Sequence, residues 1–137
     1  MRIGARAFFG NVGDSRAYLW STPKGLQRVT KDHSYVQTLI DAGELSEEDS
    51  WDHPDGSIIT AHIGMQKLKQ RDVFLRLVAP GDKILIVSDG VIDMLRESEF
   101  APFLEIESPH EICRKLVDAS NEAGGHDNIT AVCVCFS

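Results

Sequence analysis

The stretch that decides the fold is KILIVSDGVIDML, residues 83–95. Its first part, KILIVS, is apolar enough for a buried strand and runs into Ser-Asp-Gly and then a short segment that can start a helix. Asp89 therefore follows a buried strand directly, and Asp93 comes four residues later. If a helix begins at Asp89, both carboxylates lie on one face, about one turn apart.

Two further aspartates follow the same pattern, Asp14 in VGDSR and Asp127 in GGHDN. Each has glycine beside it or close by, as Asp89 has in Gly90, and glycine lets the backbone bend sharply and approach neighbouring segments closely. Carboxylates that converge from separate strand ends would supply the oxygen ligands that Mg²⁺ and Mn²⁺ prefer. Taken singly, each aspartate is more typical of a turn, a helix cap or solvated surface. Spacing alone leaves both interpretations open.

Composition is typical of one soluble globular domain. The chain has 137 residues, 42% of them hydrophobic, and a net charge of -7, which argues against a general nucleic-acid binder. The sequence contains no apolar run of about 18 residues and therefore no membrane segment. Three cysteines without CxxC spacing, Cys113, Cys133 and Cys135, indicate buried free thiols and hence a cytoplasmic location.

The order of predicted elements favours an α+β fold. Strands are predicted at 5–13, 15–20, 26–30, 57–64, 72–79, 83–88 and 129–136. Helices are predicted at 32–43 and 108–124, with Ser34 and Ser108 as their N-caps. Because tight turns join most strands, we expect a mainly antiparallel sheet or sandwich with helices packed outside.

Other candidate sites are weak. The histidines are scattered, and a structural or capping role is the better interpretation for His33 and His62. His126 lies beside Asp127, where it is a minor candidate for tuning a metal environment. The sequence contains neither a P-loop nor the spacing of a cysteine phosphatase loop.

Four motifs, in order, carry a resemblance to a known family: NVGDSRAYLW at 11–20, TKDHSYVQTLIDAGELSEED at 30–49, PGDKILIVSDGVIDML at 80–95 and GGHDNITAVCV at 124–134. Together they resemble the C-terminal half of the metal-dependent protein phosphatases (PPM family, type 2C serine/threonine phosphatases), in particular the bacterial branch. The resemblance implies an antiparallel β-sandwich flanked by helices in α-β-β-α layers, with residues 1–137 forming a partial domain. It also implies a flap near the substrate entrance, at about residues 44–57.

The activity that this resemblance implies is hydrolysis of phosphoserine and phosphothreonine in proteins by a water bound to Mg²⁺ or Mn²⁺. Asp89 matches a ligand shared by two core ions and a third ion, and Asp127 matches a ligand of the core pair. Asp14 and Asp93 match carboxylates around the third ion, and Asn128 stands beside a ligand. No catalytic residue beyond the metal ligands is predicted. The expected partners are a phosphoprotein substrate and, by analogy, a cognate serine/threonine kinase.

One departure from the family is large. The family's N-terminal half carries an Asp-Gly-x-Gly-Gly motif whose aspartate bridges the core ions, and no such motif occurs here. We therefore interpret the chain as a fragment truncated at its N-terminus. We expect weak metal affinity, little activity and self-association from residues 1–137 alone. Two alternatives stay open: a phosphatase-like regulatory module without turnover, and a related metal-dependent hydrolase of small phosphoesters.

Overall fold

The fold is known from a computed structural model that describes residues 5–66 and 72–137. The strands are β1 (Ala5–Asn11), β2 (Arg16–Ser21), β3 (Gly25–Arg28), β4 (Asp72–Val78), β5 (Lys83–Val87) and β6 (Ala131–Cys135). The helices are α1 (Tyr35–Asp41), α2 (Asp89–Ile92), α3 (Ala101–Leu104) and α4 (Pro109–Glu122), with a 3₁₀ turn at Glu97–Glu99. None of the described helices is long and apolar enough to cross a membrane.

The strands form two antiparallel sheets. One sheet has four strands in the order β3-β2-β5-β6, and the other pairs β1 with β4. The long connection between β2 and β5 lets β5 lie in the centre of the larger sheet, where it pairs with both β2 and β6. The strand predicted at 57–64 is wrong, because Ile59 makes only an isolated bridge to Ser34 there.

The two sheets enclose one apolar core. Phe9 of β1 and Val78 of β4 pack against Ala17, Leu19 and Ile84 of the larger sheet. All five side chains are buried, because inward-facing residues alternate with outward-facing ones along each strand.

A second core lies between the larger sheet and the helices. The alternate residues of the sheet, Tyr18, Leu85 and Val87, face this layer, and Tyr18 meets Phe100 edge-on with ring centroids 5.5 Å apart. From α4, Leu116 enters the same cluster and is fully buried. The predicted α+β arrangement of antiparallel sheets with helices packed outside is confirmed.

Both predicted helix caps are present. The Ser34 hydroxyl accepts the N–H of Gln37 at 3.1 Å and starts α1. The Ser108 hydroxyl accepts the N–H of Glu111 at 3.4 Å, and Pro109 takes the first position of α4. Each bond satisfies one of the amides that a helix leaves unpaired at its beginning.

The three cysteines are free, as predicted, but they are only partly buried. Cys133 faces the helical layer, whereas its neighbours Val132 and Val134 point to the opposite face and are 49% and 46% exposed. Burial, together with the nearby thiols of Cys135 and Cys113, raises the pKa of Cys133 to about 12. Burial of the thiols is incomplete because Cys133 and Cys135 lie on β6, an edge strand with one open side, and Cys113 lies on the partly exposed α4.

Candidate metal centre

Strand register brings three distant segments to one end of the larger sheet. Val87, at the end of β5, pairs with Arg16 at the start of β2 and with Ala131 at the start of β6. In an antiparallel sheet the end of one strand lies beside the beginning of each neighbour. The loops that leave this end carry Asp14, Asp89 and Asp127.

The short helix α2 places the fourth predicted aspartate beside them. Ser88 is its N-cap residue, Asp89 begins the helix, and the N–H of Asp93 donates to the Asp89 carbonyl at 2.8 Å. The two carboxylates are thus one helical turn apart, as predicted. Burial raises the pKa of Asp93, and the negative charges of Asp89 and Asp127 raise it further.

Ser88 connects the Asp89 segment to the Asp127 segment. Its hydroxyl donates to the carbonyl oxygen of Asn128 at 3.1 Å and accepts the N–H of Thr130 at 3.0 Å. The Ser88 N–H donates to the carbonyl of Thr130 at 3.0 Å, so the ladder between β5 and β6 continues beyond the last paired strand residues. These bonds hold the two loops side by side.

Gly90 permits a close approach. A Cβ atom on Gly90 would lie 2.5 Å from the carbonyl oxygen of Asn128, a distance that real Cβ atoms do not reach. Gly90 is not among the residues with positive φ, so of the two roles predicted for it, a sharp bend and a close approach, only the close approach requires glycine. The helix can touch the neighbouring loop only because this position has no side chain.

The turn that carries Asp14 is held by a histidine. The N–H of Gly13, whose φ is 118°, donates to Nδ1 of His33 at 3.2 Å, and the His33 N–H donates to the Gly13 carbonyl at 2.9 Å. Since Nδ1 accepts, Nε2 carries the proton and donates to Asp72 at 3.2 Å. These contacts agree with the structural role predicted for His33. Burial raises the pKa of Asp14, and the charge of Asp89 adds to this effect.

All four aspartates line one cavity of about 540 Å³. Asp14 and Asp89 are partly buried, whereas Asp93 and Asp127 lie at its rim with larger exposed fractions, Asp93 still partly desolvated by the surrounding residues. The four aspartates predicted as ligands therefore line the same cavity, whereas Asn128 is not among its lining residues. His126 is exposed, and its ring lies against Gly124, where an added Cβ would meet Nε2 at 2.9 Å.

A partly buried network of charges, which sequence reasoning missed, forms one wall of this cavity. Arg16 donates to both oxygens of Asp32, at distances of 2.8–3.1 Å, and to Glu97 at 3.0 Å. Arg28 donates to Asp32 at 2.7 Å, and the Tyr18 hydroxyl donates to Glu97 at 2.9 Å. Burial alone would lower the pKa of Arg16, but the bonds and charge of Asp32 more than offset this and raise it. Arg16, Tyr18 and Asp32 lie within the quoted motifs, whereas Arg28 and Glu97 lie outside them, and nothing in the spacing predicts the pairing.

Residues 44–57 form another wall of the cavity. They fold as successive turns, in which the Ser46 hydroxyl accepts the N–H of Asp49 at 3.0 Å. The Trp51 ring lies 4.9 Å from the Arg96 guanidinium, a cation–π contact across the cavity. Glu47 lies 3.7 Å from Arg28, so this segment also reaches the charge network.

No protein-family model matches the chain. Individual proteins, however, match it over nearly its whole length. The chain is 35% identical over 136 residues to protein phosphatase PhpP of Streptococcus pneumoniae, which covers 98% of this chain and 55% of that protein. It is 34% identical over 131 residues to the serine/threonine phosphatase stp of Listeria welshimeri, which covers 95% of this chain and 52% of that protein.

Solved structures of serine/threonine phosphatases also superpose on the chain. A serine/threonine phosphatase of S. agalactiae superposes with a TM-score of 0.88 and 34% identity, over 98% of this chain and 55% of that one. Over nearly its whole length, the chain is homologous to PPM-type serine/threonine phosphatases. The chain spans about half the length of the curated relatives it matches. That share fits the predicted correspondence to one half of a PPM phosphatase.

A second solved structure that resembles the chain contains metal ions. The catalytic domain of the phosphatase PstP, in complex with two manganese ions, superposes on the PPM-homologous chain with a TM-score of 0.82 and 30% identity. It covers 98% of this chain and 55% of that one. The four aspartates of this chain offer carboxylate oxygens, which suit Mn²⁺ and Mg²⁺.

The donor set is nevertheless incomplete by itself. Within residues 5–66 and 72–137, no three His, Cys, Asp or Glu side chains converge closely enough to hold an ion. The aspartates are near enough to disfavour one another's ionisation, as the raised pKa values of Asp14 and Asp93 indicate. The chemistry of the set therefore fits a hard divalent cation, but its geometry leaves part of the coordination shell to other ligands.

Proposed function

We propose that the chain is the part of a Mg²⁺- or Mn²⁺-dependent protein serine/threonine phosphatase that carries Asp89, Asp127, Asp14 and Asp93. The observation that carries this proposal is the convergence of all four carboxylates on one cavity. In the proposal, residues 1–137 form one partial PPM domain. Its substrates are proteins phosphorylated on serine or threonine, and a serine/threonine kinase acts in opposition to it.

The four aspartates divide into two groups in this proposal. Asp89 and Asp127, held together by Ser88 and the β5–β6 register, contribute to a core pair of ions. Asp14 and Asp93 flank Asp89 and contribute to a third, weaker ion. Bound Mg²⁺ or Mn²⁺ would supply a water of lowered pKa and would offset negative charge on the phosphoryl oxygens.

The surrounding residues position this set. His33 fixes the turn of Asp14, and the bonds from Arg16 to Asp32 and Glu97 tie the start of β2 to the segment after α2. Residues 44–57, as the proposed flap, close one side of the cavity through Trp51 and Glu47. The cavity wall is thereby assembled from elements far apart in sequence.

A cytoplasmic location belongs to the proposal as well. The three free thiols support it, because free cysteines persist in a reducing compartment.

The test is Mn²⁺-dependent hydrolysis of a phosphothreonine peptide by the full-length gene product. Asp89→Asn and Asp127→Asn should each reduce kcat by at least about a hundredfold, because each removes a charge that holds an ion. Asp118→Asn, which alters an exposed ion pair on α4, serves as the matched control and should leave kcat unchanged. Full activity in either site variant would rule out the ligand assignment.

A second candidate function is a regulatory module that does not turn over. It is favoured by the incomplete donor set among the described residues. The same assay separates the two candidates: a full-length product that binds a phosphothreonine peptide without hydrolysing it, in saturating Mn²⁺, is a binding module.

A further inference from the structure

Three arginines line the cavity that holds the four aspartates, and one of them has no counter-ion. Arg16 and Arg28 both pair with Asp32, at nitrogen–oxygen distances of 2.8 Å and 2.7 Å, and their side chains are 19% and 16% exposed. Arg96 lines the same cavity and is exposed. Within residues 5–66 and 72–137, no carboxylate forms an ion pair with its guanidinium. The charge of Arg96 is therefore available to a ligand.

The Trp51 ring holds this guanidinium in place. The Arg96 Cζ atom lies over the ring, 4.9 Å from its centroid. Trp51 itself packs against the buried cluster that contains Phe100 and Leu104, so the ring is anchored to the core. At the backbone, the Arg96 N–H donates to the Glu99 carboxylate at 2.7 Å. The ring attracts the cation but offers no oxygen acceptor, so the N–H groups of the guanidinium remain able to bind an anion.

The position of Arg96 separates its guanidinium from the aspartates. Asp93 is the C-cap residue of α2, and Arg96 follows it by three residues, directly before the 3₁₀ turn at Glu97–Glu99. None of the four aspartates forms an ion pair with Arg96, and the Trp51 contact holds the guanidinium at the wall formed by residues 44–57. An anion bound by Arg96 is therefore a different group from a phosphoryl group held at the aspartates.

The guanidinium of Arg96 matches oxyanions, because its planar fork donates two parallel N–H bonds to a carboxylate or a phosphoryl group. We infer that Arg96 is a specificity-determining residue that binds an anionic side chain of the protein substrate, close in sequence to the phosphorylated residue. The anion is a carboxylate or a second phosphoryl group. This inference rests on the proposed function and deepens it, since it names the class of phosphoprotein that the site prefers.

The same wall also carries negative charge. Glu47 and Glu48 line the cavity, and Glu47 lies 3.7 Å from Arg28. The competing preference is therefore for a basic substrate residue that pairs with Glu48. Arg96 is favoured because the Trp51 ring holds its charge in one place, whereas the Glu48 side chain has no such contact within the described part of the chain.

The test measures Mn²⁺-dependent hydrolysis of phosphothreonine peptides by the full-length gene product. The parent peptide has alanine on both sides of the phosphothreonine, and each variant peptide carries one glutamate, phosphoserine or lysine at a flanking position. Mass spectrometry follows dephosphorylation of the threonine. We expect glutamate or phosphoserine at one position to lower KM about threefold with kcat unchanged, as an exposed charge pair provides. The two peptides distinguish a carboxylate from a second phosphoryl group.

Substitutions at Arg96 and Trp51 assign the preference to this pair. Arg96→Ala should remove it, and Arg96→Glu should transfer it to the lysine peptide. Trp51→Phe keeps an aromatic face and should retain the preference, whereas Trp51→Leu should weaken it. A purely structural role for Arg96 would change KM for all peptides alike. Arg114→Ala, at an exposed position of α4 outside the cavity, is the matched control and should leave every KM unchanged.

Three results would overturn the inference. The first is that no anionic residue at any flanking position lowers KM, and the second is a preference that Arg96→Ala retains in full. The third is a preference of the unmodified protein for lysine, which would assign specificity to Glu47 and Glu48. If no peptide is hydrolysed, the proposed phosphatase function has failed. Kd from fluorescence anisotropy in the same Mn²⁺ buffer then replaces KM, and the same three results decide.

Discussion

An added methyl group on Gly90 would lie 2.5 Å from the carbonyl oxygen of Asn128. This contact joins the first turn of α2 to the loop that carries Asp127, and the Ser88 hydroxyl bonds to the same carbonyl. The distance between two of the four predicted metal ligands therefore depends on the absence of a side chain at one position.

Gly90→Ala should separate these loops. The new Cβ meets backbone rather than a flexible side chain, so we expect a loss of about 1–3 kcal/mol in the free energy of unfolding. Urea denaturation measures it. Gly10→Ala is the matched control, because no atom lies within 4 Å of its added Cβ, and it should not destabilise the chain. Equal stability of the two variants would contradict the close contact.

Asp32→Asn should disrupt the charge network. Asp32 is the shared partner of Arg16 and Arg28, and its side chain is 9% exposed. Removing its charge leaves two partly buried guanidinium groups without a full counter-ion, at a cost of about 2–4 kcal/mol. Urea denaturation provides the measurement here too. Asp118→Asn breaks an exposed pair with Arg114 and should cost less than about 0.5 kcal/mol.

Ionisation of Asp93 should lower the stability of the metal-free fold as pH rises, the opposite of what a carboxylate in an ion pair does. The pKa of Asp93 lies above its usual 3.8, mainly through burial, so the folded chain binds its proton more tightly than the unfolded chain does. The ionised group therefore destabilises the metal-free fold as pH rises through this window. Asp93→Asn should raise Tm in EDTA at neutral pH, and the gain should vanish below the unfolded pKa.

Asp41→Asn should change Tm in the opposite direction to Asp93→Asn. A hydrogen bond from Lys31 lowers the pKa of Asp41, so its ionised form stabilises the fold. This variant should have a lower Tm at neutral pH than the unmodified chain. Calorimetric scans from about pH 3.5 to 7 compare both variants. A lower Tm for Asp93→Asn at neutral pH would contradict the prediction.

Lys83→Met should loosen the helical layer. The Lys83 ammonium donates to the carbonyls of Leu104 and Ile106, both at 2.6 Å, and lies 5.0 Å from the Trp20 ring. Methionine keeps the length but leaves both carbonyls unpaired, which should cost about 1–3 kcal/mol. Urea denaturation reports the loss. Lys115→Met, at an exposed position of α4, is the control expected to be neutral.

Local sequence patterns predicted most of the fold because they act over a few residues. Ser34 and Ser108 were predicted as caps from side chains that reach only three residues ahead. The strand predicted at 57–64 was wrong because the apolar residues of this segment do not form a buried face. Ile58, Ile59 and Ile63 are 47%, 44% and 83% exposed.

The features that local patterns did not predict depend on contacts between residues far apart in sequence. The convergence of the aspartates was expected from motif resemblance and follows from strand register, which aligns Val87 with both Arg16 and Ala131. The pairing of Arg16 with Asp32 and Glu97 joins positions 16 and 81 residues apart, and no local pattern encodes such a choice. Gly90 was predicted to permit both a sharp bend and a close approach, and the close approach is the one that requires glycine.

β5 and β6 pair directly in the sheet, so the position of the acidic site does not depend on the segment that connects these two strands in sequence. Asp89 and Asp127 are neighbours through the strands, whereas the segment between them in sequence includes α3 and α4, which pack on the helical side of the sheet. Insertions in the turn between α3 and α4 can therefore reshape this side without moving either carboxylate. That connection is the place where related chains can acquire new surface elements while the spacing of the acidic centre stays constant.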